Sequence, residues 1–432
     1  MSRARGLKER GHGWAEHRNG SAIAATILLL PLVLGITAWS SSAMAGPVPT
    51  IYVANAGNPS TVTAIDSATK SVEKSIAIRG GTTVNVGVTP NGTRAYALVV
   101  GSDEVGSPGV LVPISTATNT TGKAIGVGVN PSTFAFNPNG RYAYVVDGFD
   151  AATTAPNAPG TITPVNLADE AAGRPIKVGT NPGSIAITPN GQSAYVTDSN
   201  AINGDPTTIT PINLATDTPE KAIHVAARGI AITLNGVTAF AFDRNEVVPI
   251  ATATNLPGKA IVLGGIVQVI ALAPDGQTAW ALTTFDPGLE PGSGKVSLTS
   301  INTATHQIGK VVPLTGMPTE GEFFVAITPN GAHIYVLGQG SGKSASTLVD
   351  VDAATDHAGR PIKVGTDATA LAVNPDNKFV YVLTPGNDYQ GPPIASEPKK
   401  APGSVIPIAT ATDTVGSPIK SGLLASAMAI TP

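Results

Sequence analysis

The sequence predicts an all-β protein built from repeated four-stranded antiparallel units. Three observations predict it: a composition rich in turn-forming and strand-forming residues, a hairpin phrase that recurs along the chain, and complementary half-repeats at the two ends. The chain has 432 residues, of which 48 are Gly and 36 are Pro, and 13% are charged. High Gly and Pro content without a collagen period, beside many Val, Ile and Thr residues, is typical of many short strands joined by turns.

The composition also excludes several classes of function. Because the chain has no cysteine, it can form no disulfide, thiolate metal site or thiol nucleophile. The formal net charge of −3 provides no basic footprint, so we expect no nucleic-acid partner. The hydrophobic fraction of 42% is enough for a large core and argues against a disordered chain.

Residues 1–45 are predicted to be a secretory signal peptide. Residues 1–20 are basic overall, an apolar stretch follows, and Ala43-Met44-Ala45 is a small-x-small cleavage site. The alternative is an uncleaved anchor, because about 18 mostly apolar residues nearly span a bilayer. Pro31 inside the apolar stretch favours cleavage. We therefore expect a secreted or cell-surface protein whose residues 46–432 form one domain, with no stable membrane span after cleavage.

A hairpin phrase organises everything after the leader. It consists of a short apolar run, a turn of the Thr-Pro-Asn-Gly type and a strand of the Tyr-Val type. Asn-Gly or Asp-Gly between two β-rich runs is a strong hairpin signal, because a type I′ turn needs positive φ angles. Each phrase is therefore predicted to form two strands joined by a type I′ turn. The turns lie at 89–92, 137–140, 188–191, 234–236, 273–276, 328–331 and 374–377.

A second phrase follows each hairpin and completes the unit. It is an alternating strand, an Ala-Thr type of turn and a closing strand that ends near Gly, as in Pro175-Ile176-Lys177-Val178-Gly179. Together the two phrases give four strands in roughly 48 residues, near the blade length of a β-propeller. We predict eight blades, with seven as the alternative. The eight copies of the second phrase begin near residues 61, 110, 161, 208, 247, 296, 347 and 404.

The two ends of the chain predict a closed ring. The apolar strand 427–430 is followed by Thr431-Pro432 without a hairpin partner, and Ile51-Tyr52-Val53 has no preceding strand. Joined, these pieces make one more complete unit. Closing the last blade with N- and C-terminal strands removes the exposed edges that an open array would leave. The predicted fold is therefore a closed β-propeller of four-stranded antiparallel blades.

The repeats resemble a known family. Tyr195-Val196-Thr197-Asp198, Tyr52-Val53-Ala54-Asn55, the Thr-Pro-Asn-Gly turns and Val178-Gly179-Thr180-Asn181-Pro182 look like YVTN-type β-propeller repeats. The resemblance covers essentially the whole chain after the leader. It implies a secreted, surface-layer-like propeller. Members of the family more often have seven blades than eight, so the resemblance keeps the seven-bladed alternative open.

By this resemblance, the strand before each Pro-Asn-Gly turn lines an axial channel, and the connection after each Tyr-Val strand opens on the opposite face. Variable connections on a regular scaffold usually carry function, although surface insertions also accumulate at little cost. We expect one rim to be the working face, with Tyr389 as a candidate contact residue in the longest connection. The connections that vary most in length are residues 101–109, 147–160, 198–207, 283–294 and 384–403.

The end of the Tyr-Val strand carries the sharpest local pattern. Asn55, Asp147, Asp198 and Asp243 occupy the same position in four units. Clustered carboxylates could hold Ca²⁺, which prefers oxygen ligands. The alternative is structural, because Asp and Asn side chains at strand ends bond nearby backbone amides and shape the turn. The four residues are therefore candidate binding residues, and no metal is predicted.

A second candidate set lies just ahead of the inner strands, at the predicted mouth of the channel. Its members are Arg79, Arg228, Glu320 and Glu322. Convergent charges over an axial pocket could orient an anionic or sugar-like ligand. The alternative is that they are solvated residues of the rim.

No catalytic constellation stands out in the sequence after the leader. It contains no Gly-x-Ser-x-Gly elbow and no complete P-loop. We therefore predict a non-catalytic scaffold without a cofactor, which binds an envelope protein or glycan. The alternative is a lactonase-like hydrolase, with Arg79 or Arg228 orienting a carbonyl and Glu320 or Glu322 acting as base. The four histidines after the leader fall in unrelated repeat positions: His224, His306, His333 and His357.

Overall fold

The computed structural model describes residues 48–101, 107–148, 159–198, 207–284, 296–318, 321–340, 344–388 and 400–432. In these ranges the chain forms β-strands, turns and bends, and no helix. The described part accordingly offers no helix that is long and apolar enough to cross a membrane. The predicted signal peptide, residues 1–45, lies outside the described residues.

The strands form eight separate antiparallel sheets, which are the blades of the propeller. We number the blades by the chain order of their innermost strands. Blade 1 contains β4 (Thr82–Val88), β5 (Arg94–Val100), β6 (Pro108–Ser115), β7 (Thr120–Thr121) and β8 (Ile125–Val129), and blade 2 contains β9 (Pro131–Phe136), β10 (Tyr142–Asp147), β11 (Pro159–Asn166), β12 (Ala171–Ala172) and β13 (Ile176–Thr180). Blade 3 contains β14 (Pro182–Ile187), β15 (Ser193–Asp198), β16 (Thr208–Asn213) and β17 (Thr218–Pro219). Blade 4 contains β18 (Gly229–Ile232), β19 (Thr238–Asp243), β20 (Glu246–Ala251), β21 (Leu256–Pro257) and β22 (Ile261–Val262).

The other four blades follow the same plan. Blade 5 contains β23 (Ile266–Leu272), β24 (Thr278–Thr284), β25 (Val296–Asn302) and β26 (Ile308–Leu314), and blade 6 contains β27 (Phe323–Ile327), β28 (His333–Gly338), β29 (Ala345–Asp352), β30 (His357–Ala358) and β31 (Ile362–Thr366). Blade 7 contains β32 (Ala370–Val373), β33 (Phe379–Asp388), β34 (Lys400–Ala409), β35 (Thr414–Val415) and β36 (Ile419–Lys420). Blade 8 contains β37 (Ala425–Ile430), β1 (Thr50–Asn55), β2 (Thr61–Asp66) and β3 (Ser71–Ala77). The predicted eight blades are confirmed, and the seven-bladed alternative is wrong.

The outermost strand differs between blades. In most blades it consists of two short pieces that both pair with the third strand, such as β12 and β13 on β11. Blades 5 and 8 instead carry one continuous outer strand, β26 and β3. These two strands are therefore uninterrupted sheet edges.

The ring is closed by pairing the two ends of the chain. The innermost strands contact one another in the cyclic order β37, β4, β9, β14, β18, β23, β27, β32 and back to β37. Strand β37 pairs antiparallel with β1, so that Ile430 lies opposite Ile51 and Met428 lies opposite Val53. The predicted mixed last blade is thus confirmed, and no blade is left open at its inner side.

The Pro-Asn-Gly hairpins form as predicted, but their turn type differs from the prediction. In the first one, the Gly92 amide donates to the Thr89 carbonyl at 2.8 Å, and Gly92 has a φ of 69°. Asn91 does not have a positive φ, so the turn is not type I′. Pro90 explains the difference: its ring fixes φ near −65°, which suits the second position of a type I turn. The Asn91 carboxamide oxygen then accepts from the Thr93 amide at 3.2 Å.

Neighbouring blades are joined by an aromatic residue on the second strand. The Tyr52 hydroxyl of blade 8 donates to Oδ1 of Asn119 in the outer turn of blade 1, at 2.6 Å. The Tyr195 hydroxyl of blade 3 donates in the same way to Asn255 Oδ1 of blade 4, at 2.6 Å. Both tyrosines are fully buried, and both asparagines have left-handed φ angles of 52° and 56°. In blades 8 and 3 the tyrosine of the repeat therefore ties the blade to a turn of the next one.

Further interfaces use variants of this contact. In blade 4 the aromatic residue is Phe240, and its ring packs edge-on against the His306 ring of blade 5, with 5.7 Å between centroids. At the closing interface, the Tyr381 hydroxyl of blade 7 donates to the Ser67 carbonyl of blade 8 at 3.2 Å. The joint between the last blades thus resembles the internal ones.

Candidate functional site

The two faces of the propeller differ in regularity. On the face that we call the turn face, the connections between first and second strands are all five residues long. On the opposite face, which we call the variable rim, the connections between second and third strands range from two to 11 residues. The turn-face connections are 89–93, 137–141, 188–192, 233–237, 273–277, 328–332 and 374–378, and the rim connections are 56–60, 101–107, 148–158, 199–207, 244–245, 285–295, 339–344 and 389–399.

Among the described strands, β33 and β34 of blade 7 continue furthest towards the rim. Both strands are ten residues long, and their pairing continues to Asp388 opposite Lys400. The connection predicted at 384–403 is therefore shorter than expected, because strand pairing continues where the sequence reads as a Pro- and Gly-rich loop. Its remaining part, residues 389–399, includes the candidate Tyr389 and lies outside the described residues.

At the base of the rim, Asp147 is held by threonines of its own blade and by a glycine of the preceding blade. The side chain is fully buried, and Oδ2 accepts from the Thr163 hydroxyl at 2.5 Å and from the Thr161 hydroxyl at 3.4 Å. The backbone amide of Gly128 donates to the same carboxyl group. A Cβ added at Gly128 would lie 2.4 Å from the Asp147 Cγ, so only glycine fits this position. We call this arrangement the threonine clasp.

Asp198 of the next blade has an equivalent clasp. Its Oδ2 accepts from the Thr210 hydroxyl at 2.6 Å and from the Thr208 hydroxyl at 3.3 Å, and the side chain is 2% exposed. The Gly179 amide donates to the carboxyl group, and a Cβ on Gly179 would lie 2.5 Å from the Asp198 Cγ. The same geometry therefore recurs in blades 2 and 3.

Asn55 forms the neutral version of the clasp in blade 8. Its Nδ2 donates to the hydroxyls of Thr61 at 3.1 Å and Thr63 at 3.0 Å, and its Oδ1 accepts from the Gly422 amide at 2.9 Å. The side chain is fully buried. An amide that donates to both threonines thus replaces a carboxyl group that accepts from them.

Burial changes the acidity of the two clasped carboxyl groups. It raises the pKa of Asp147 to about 7 and the pKa of Asp198 to about 6, against the lowering effect of the threonine hydrogen bonds. The Oδ1 atom of each has no hydrogen-bond partner. Because a buried carboxylate without full hydrogen bonding is unfavourable, both groups hold a proton to a higher pH than an exposed aspartate. This geometry favours the structural alternative: each clasp fixes the point where a rim connection leaves its blade.

Asp243 occupies the corresponding position of blade 4 without a clasp. It lies opposite Glu246 across the two-residue connection 244–245, and it is partly exposed. The third strand carries Glu246 and Val248 where the clasped blades carry threonines. Asp243 therefore lacks the buried environment and the threonine hydrogen bonds that Asp147 and Asp198 share. Within the described ranges, no group of three His, Asp or Glu side chains comes together as a metal site.

The charged candidates lie at different junctions around the ring. Arg79 is exposed and lies in the segment between blades 8 and 1, whereas Glu322 is half-buried and lies in the segment between blades 5 and 6. Arg228 is exposed between blades 3 and 4, and its Nη1 donates to Gln268 Oε1 on the innermost strand of blade 5 at 3.3 Å. Burial raises the pKa of Glu322. Among the described residues, none of these three joins another in an ion pair, and Glu320 lies outside the described residues.

Sequence reasoning missed the threonine and glycine partners of the clasp. A signal for them was present, because the third strand reads Thr-x-Thr in the three units whose second strand ends in a clasped Asp or Asn. The pairs are Thr61 with Thr63, Thr161 with Thr163, and Thr208 with Thr210.

Several solved structures share this architecture. Hydrazine synthase of Kuenenia stuttgartiensis is 18% identical, with a TM-score of 0.53 over 80% of this chain and 97% of that chain. Dihydro-heme d1 dehydrogenase NirN in complex with DHE is 14% identical, with a TM-score of 0.64 over 93% of this chain and 79% of that chain. A eukaryotic initiation factor is 11% identical, with a TM-score of 0.53 over 91% of this chain and 99% of that chain.

At these identities the likeness concerns the fold alone. The chain is an eight-bladed β-propeller protein, and structures that resemble it are propeller proteins. Neither a known protein family nor a curated protein matches the sequence. The relation to YVTN-type repeats therefore stays a prediction from the residues.

Proposed function

We propose that this protein is a secreted propeller scaffold that binds a cell-envelope protein or glycan through its variable rim, without catalysis. The observation that supports the proposal is the asymmetry of the two faces. Seven connections of the turn face have one length, whereas the rim connections range from two to 11 residues. Length variation that is confined to one face of a regular scaffold is typical of a recognition surface.

The packing beneath the rim supports the same proposal. The threonine clasps of Asn55, Asp147 and Asp198 fix the bases of three rim connections with buried hydrogen bonds. A binding surface whose supports are ordered before the partner arrives loses less conformational entropy on binding. The paired strands β33 and β34 add an ordered arm on this side of blade 7.

The rim is tested by capture from the envelope fraction of the producing organism. The full-length protein is immobilised, and the fraction that it retains is compared with that of a variant whose residues 389–399 are replaced by Asn-Gly. The matched control replaces the turn 273–277 with the sequence of turn 89–93, which changes the opposite face at constant length. We expect the rim variant to lose one enriched protein or glycan and the turn-face variant to keep it.

Two outcomes would contradict the scaffold. If the rim variant captured the same protein or glycan as the wild type, the rim would not be the binding surface. Hydrolysis of a lactone or ester, abolished by Glu322→Gln or Arg228→Gln, would instead favour the hydrolase. The export step has its own test: the mass of the protein recovered from culture medium is expected to correspond to a chain that begins at Gly46.

A further inference from the structure

Charge is distributed unevenly between the circumference of the propeller and the rest of the chain. The outer segments, which are the outermost strands with the short links between their pieces, carry ten basic and two acidic residues. The rest of residues 46–432 carries 11 basic and 25 acidic residues. The circumference is therefore cationic on a chain that is otherwise acidic. The outer segments are residues 71–77, 120–129, 171–180, 218–223, 256–262, 308–314, 357–366 and 414–420.

The ten basic residues form a belt of exposed charge around the ring. Every blade contributes at least one of them, and all ten are exposed. Among the residues that the structure describes, only Lys310 of the belt joins an ion pair, with Asp356 at 2.6 Å. The belt therefore holds charge that is available to a ligand. Its members are Lys74, Lys123, Arg174, Lys177, Lys221, Lys259, Lys310, Arg360, Lys363 and Lys420.

The repeat places half of the belt at one position of the outer edge. In blade 1 the Gly122 amide donates to the Pro113 carbonyl of the third strand at 2.8 Å, and Lys123 follows directly. The same backbone hydrogen bond, at 2.7 or 2.8 Å, precedes a basic residue in four other blades. The five residues that share this position are Lys123, Arg174, Lys221, Lys259 and Arg360.

Three further belt residues lie nearer the variable rim. Each is opposite a residue near the start of the third strand, and the Lys363 ammonium also donates to the Thr347 hydroxyl at 2.8 Å. The belt therefore has a second row of charge in blades 2, 6 and 7. The register pairs are Lys177 with Thr161, Lys363 with Thr347, and Lys420 with Ser404.

Protection of the sheet edges does not account for the sign of this charge. Charged side chains on an edge strand discourage the addition of another strand, and either sign of charge has this effect. The two acidic residues of the outer segments are already engaged: Glu73 accepts from Asn119 of the next blade at 2.8 Å, and Glu220 accepts from Asn255 at 2.6 Å. The belt is thus a cationic surface on a chain whose formal net charge is −3.

Three properties of the belt restrict the anionic partner. The outer segments contain no Phe, Tyr or Trp, so that bases find no ring on which to stack. The belt follows a closed ring, whereas a DNA duplex is stiff over roughly 50 nm and bends at a cost. Eight of the ten belt residues are lysines, whereas arginine is preferred for phosphate recognition. A flexible polymer that carries carboxylates meets all three conditions.

We propose that the belt binds a flexible acidic polysaccharide, whose carboxylates contact basic residues of successive blades. Each contact is an exposed ion pair, which is weak on its own. One polymer chain that contacts several blades gains affinity, because each further contact forms within the same complex. The site lies on the circumference and is separate from the variable rim.

The test measures binding of fluorescein-labelled polygalacturonate to the full-length protein by fluorescence anisotropy. The first comparison polymer is its fully methyl-esterified form, which keeps the sugar backbone and loses the charge. The second is a DNA duplex at the same concentration of negative charge. We expect polygalacturonate to bind at least about tenfold more tightly than either comparison polymer, and its affinity to fall as the salt concentration rises.

Two charge-matched variants locate the site. Lys221→Glu with Lys259→Glu changes the belt in blades 3 and 4 and is expected to weaken binding about tenfold. Arg141→Glu with Lys378→Glu makes the same change in net charge at exposed residues of the turn face. This control is expected to leave binding unchanged, because salt screens charges beyond about 10 Å. Both variants keep the basic residues 1–20, and circular dichroism confirms that both are folded.

Four results would overturn the proposal. The first is no binding of polygalacturonate at about 1 mM carboxylate. The second is equal or tighter binding of the methyl-esterified polymer or of the DNA duplex. The third is binding that Lys221→Glu with Lys259→Glu leaves intact. The fourth is equal weakening by both variants, which would assign binding to net charge rather than to the belt.

The belt and the variable rim are tested separately. The variant in which Asn-Gly replaces residues 389–399 is expected to bind polygalacturonate as the wild type does. The variant Lys221→Glu with Lys259→Glu is expected to keep the partner that the rim captures. Failure of one proposal is therefore distinguishable from failure of the other.

Discussion

At the scale of the residue, the clasped carboxyl groups make stability depend on pH. The pKa of Asp147 is raised to about 7 and that of Asp198 to about 6, both by burial. In the unfolded chain an aspartate titrates near pH 3.9. Between these pH values the native state binds protons that the unfolded state has released. The free energy of unfolding therefore falls as pH rises from about 4 to about 7.

The double variant Asp147→Asn with Asp198→Asn is expected to flatten this pH dependence. Asn55 shows that an amide fits the same clasp with its hydrogen bonds satisfied. At pH 8 we expect the variant to be more stable than the wild type by roughly 2 kcal/mol, because no buried carboxylate remains to be ionised. Urea unfolding at pH 4, 6 and 8 measures the difference. Asp243→Asn, outside any clasp, is the control, and an equal change at all three pH values would refute the charge argument.

The tyrosine contacts between blades give a second prediction at this scale. Tyr52→Phe and Tyr195→Phe each remove a hydroxyl that donates to an asparagine of the next blade. Each is expected to lower the free energy of unfolding by about 1 kcal/mol, because one partly buried hydrogen bond is lost. Tyr142→Phe is the control in the same urea titration, because this half-buried tyrosine makes no hydroxyl hydrogen bond to another blade within the described part of the chain. If all three variants behaved alike, the contact would have no stabilising role.

At the scale of the element, the Pro-Asn-Gly turn requires glycine for backbone conformation and sometimes also for space. Gly140 and Gly191 have nearly the same φ, 68° and 69°. A Cβ on Gly140 would meet nothing within 4 Å, whereas one on Gly191 would lie 2.3 Å from the Asn137 Oδ1. The two positions therefore separate conformational strain from steric contact.

Gly140→Ala is expected to destabilise the protein by about 1 kcal/mol, which is the penalty of a left-handed φ for an L-residue. Gly191→Ala is expected to destabilise it further, because the Asn137 side chain must also move. Gly140→Asn is the matched control for the first variant, since Asn377 occupies this turn position of blade 7 with a φ of 59°. Thermal unfolding ranks the three. An equal loss for both alanine variants would show that Asn137 moves away freely.

At the scale of the whole molecule, the joint in blade 8 is a Pro-Asn-Gly turn with its second half missing. The Thr431 amide donates to the Thr50 carbonyl at 3.0 Å, and the Thr50 amide donates to the Thr431 Oγ1 at 2.8 Å. Thr89 and Arg94 make the same two hydrogen bonds in blade 1, at 2.9 and 3.2 Å. Pro432 follows Thr431 as Pro90 follows Thr89.

A circular permutant tests this equivalence. Its sequence joins Pro432 to Thr50 through Asn-Gly-Thr and opens the chain within 148–158, a connection on the variable rim. We expect it to unfold in one transition at a midpoint equal to or above that of the wild type, because the bridge completes an existing turn. Deletion of residues 425–432 is the opposite change and is expected to destabilise the ring, since β1, β4 and β32 lose their contacts with β37. A permutant that melts well below the wild type would contradict the equivalence.

Much of this architecture could be predicted from the sequence. The Thr-Pro-Asn-Gly and Ala-Thr phrases specified the hairpins, the eight blades and the mixed last blade, because hairpin pairing is local and its signals repeat. They did not show that the outermost strand of most blades is divided into two short pieces. Type I′ turns were the wrong expectation, since the proline before Asn-Gly selects a type I turn. The connection at 384–403 was wrong in its bounds, because pairing between β33 and β34 overrides the Pro and Gly signals of the sequence.

Contacts between distant residues were decided only by the tertiary structure. The sequence placed Asn55, Asp147, Asp198 and Asp243 at one strand position, but only the fold showed three of them closed in clasps and Asp243 outside one. Likewise, the basic residues of the belt are separated along the chain, so only folding brings them together on the circumference. Local patterns determine strands and turns because hydrogen bonding within a hairpin acts over a few residues. Burial, acidity and surface charge depend on which elements pack together, and the closed ring decides that.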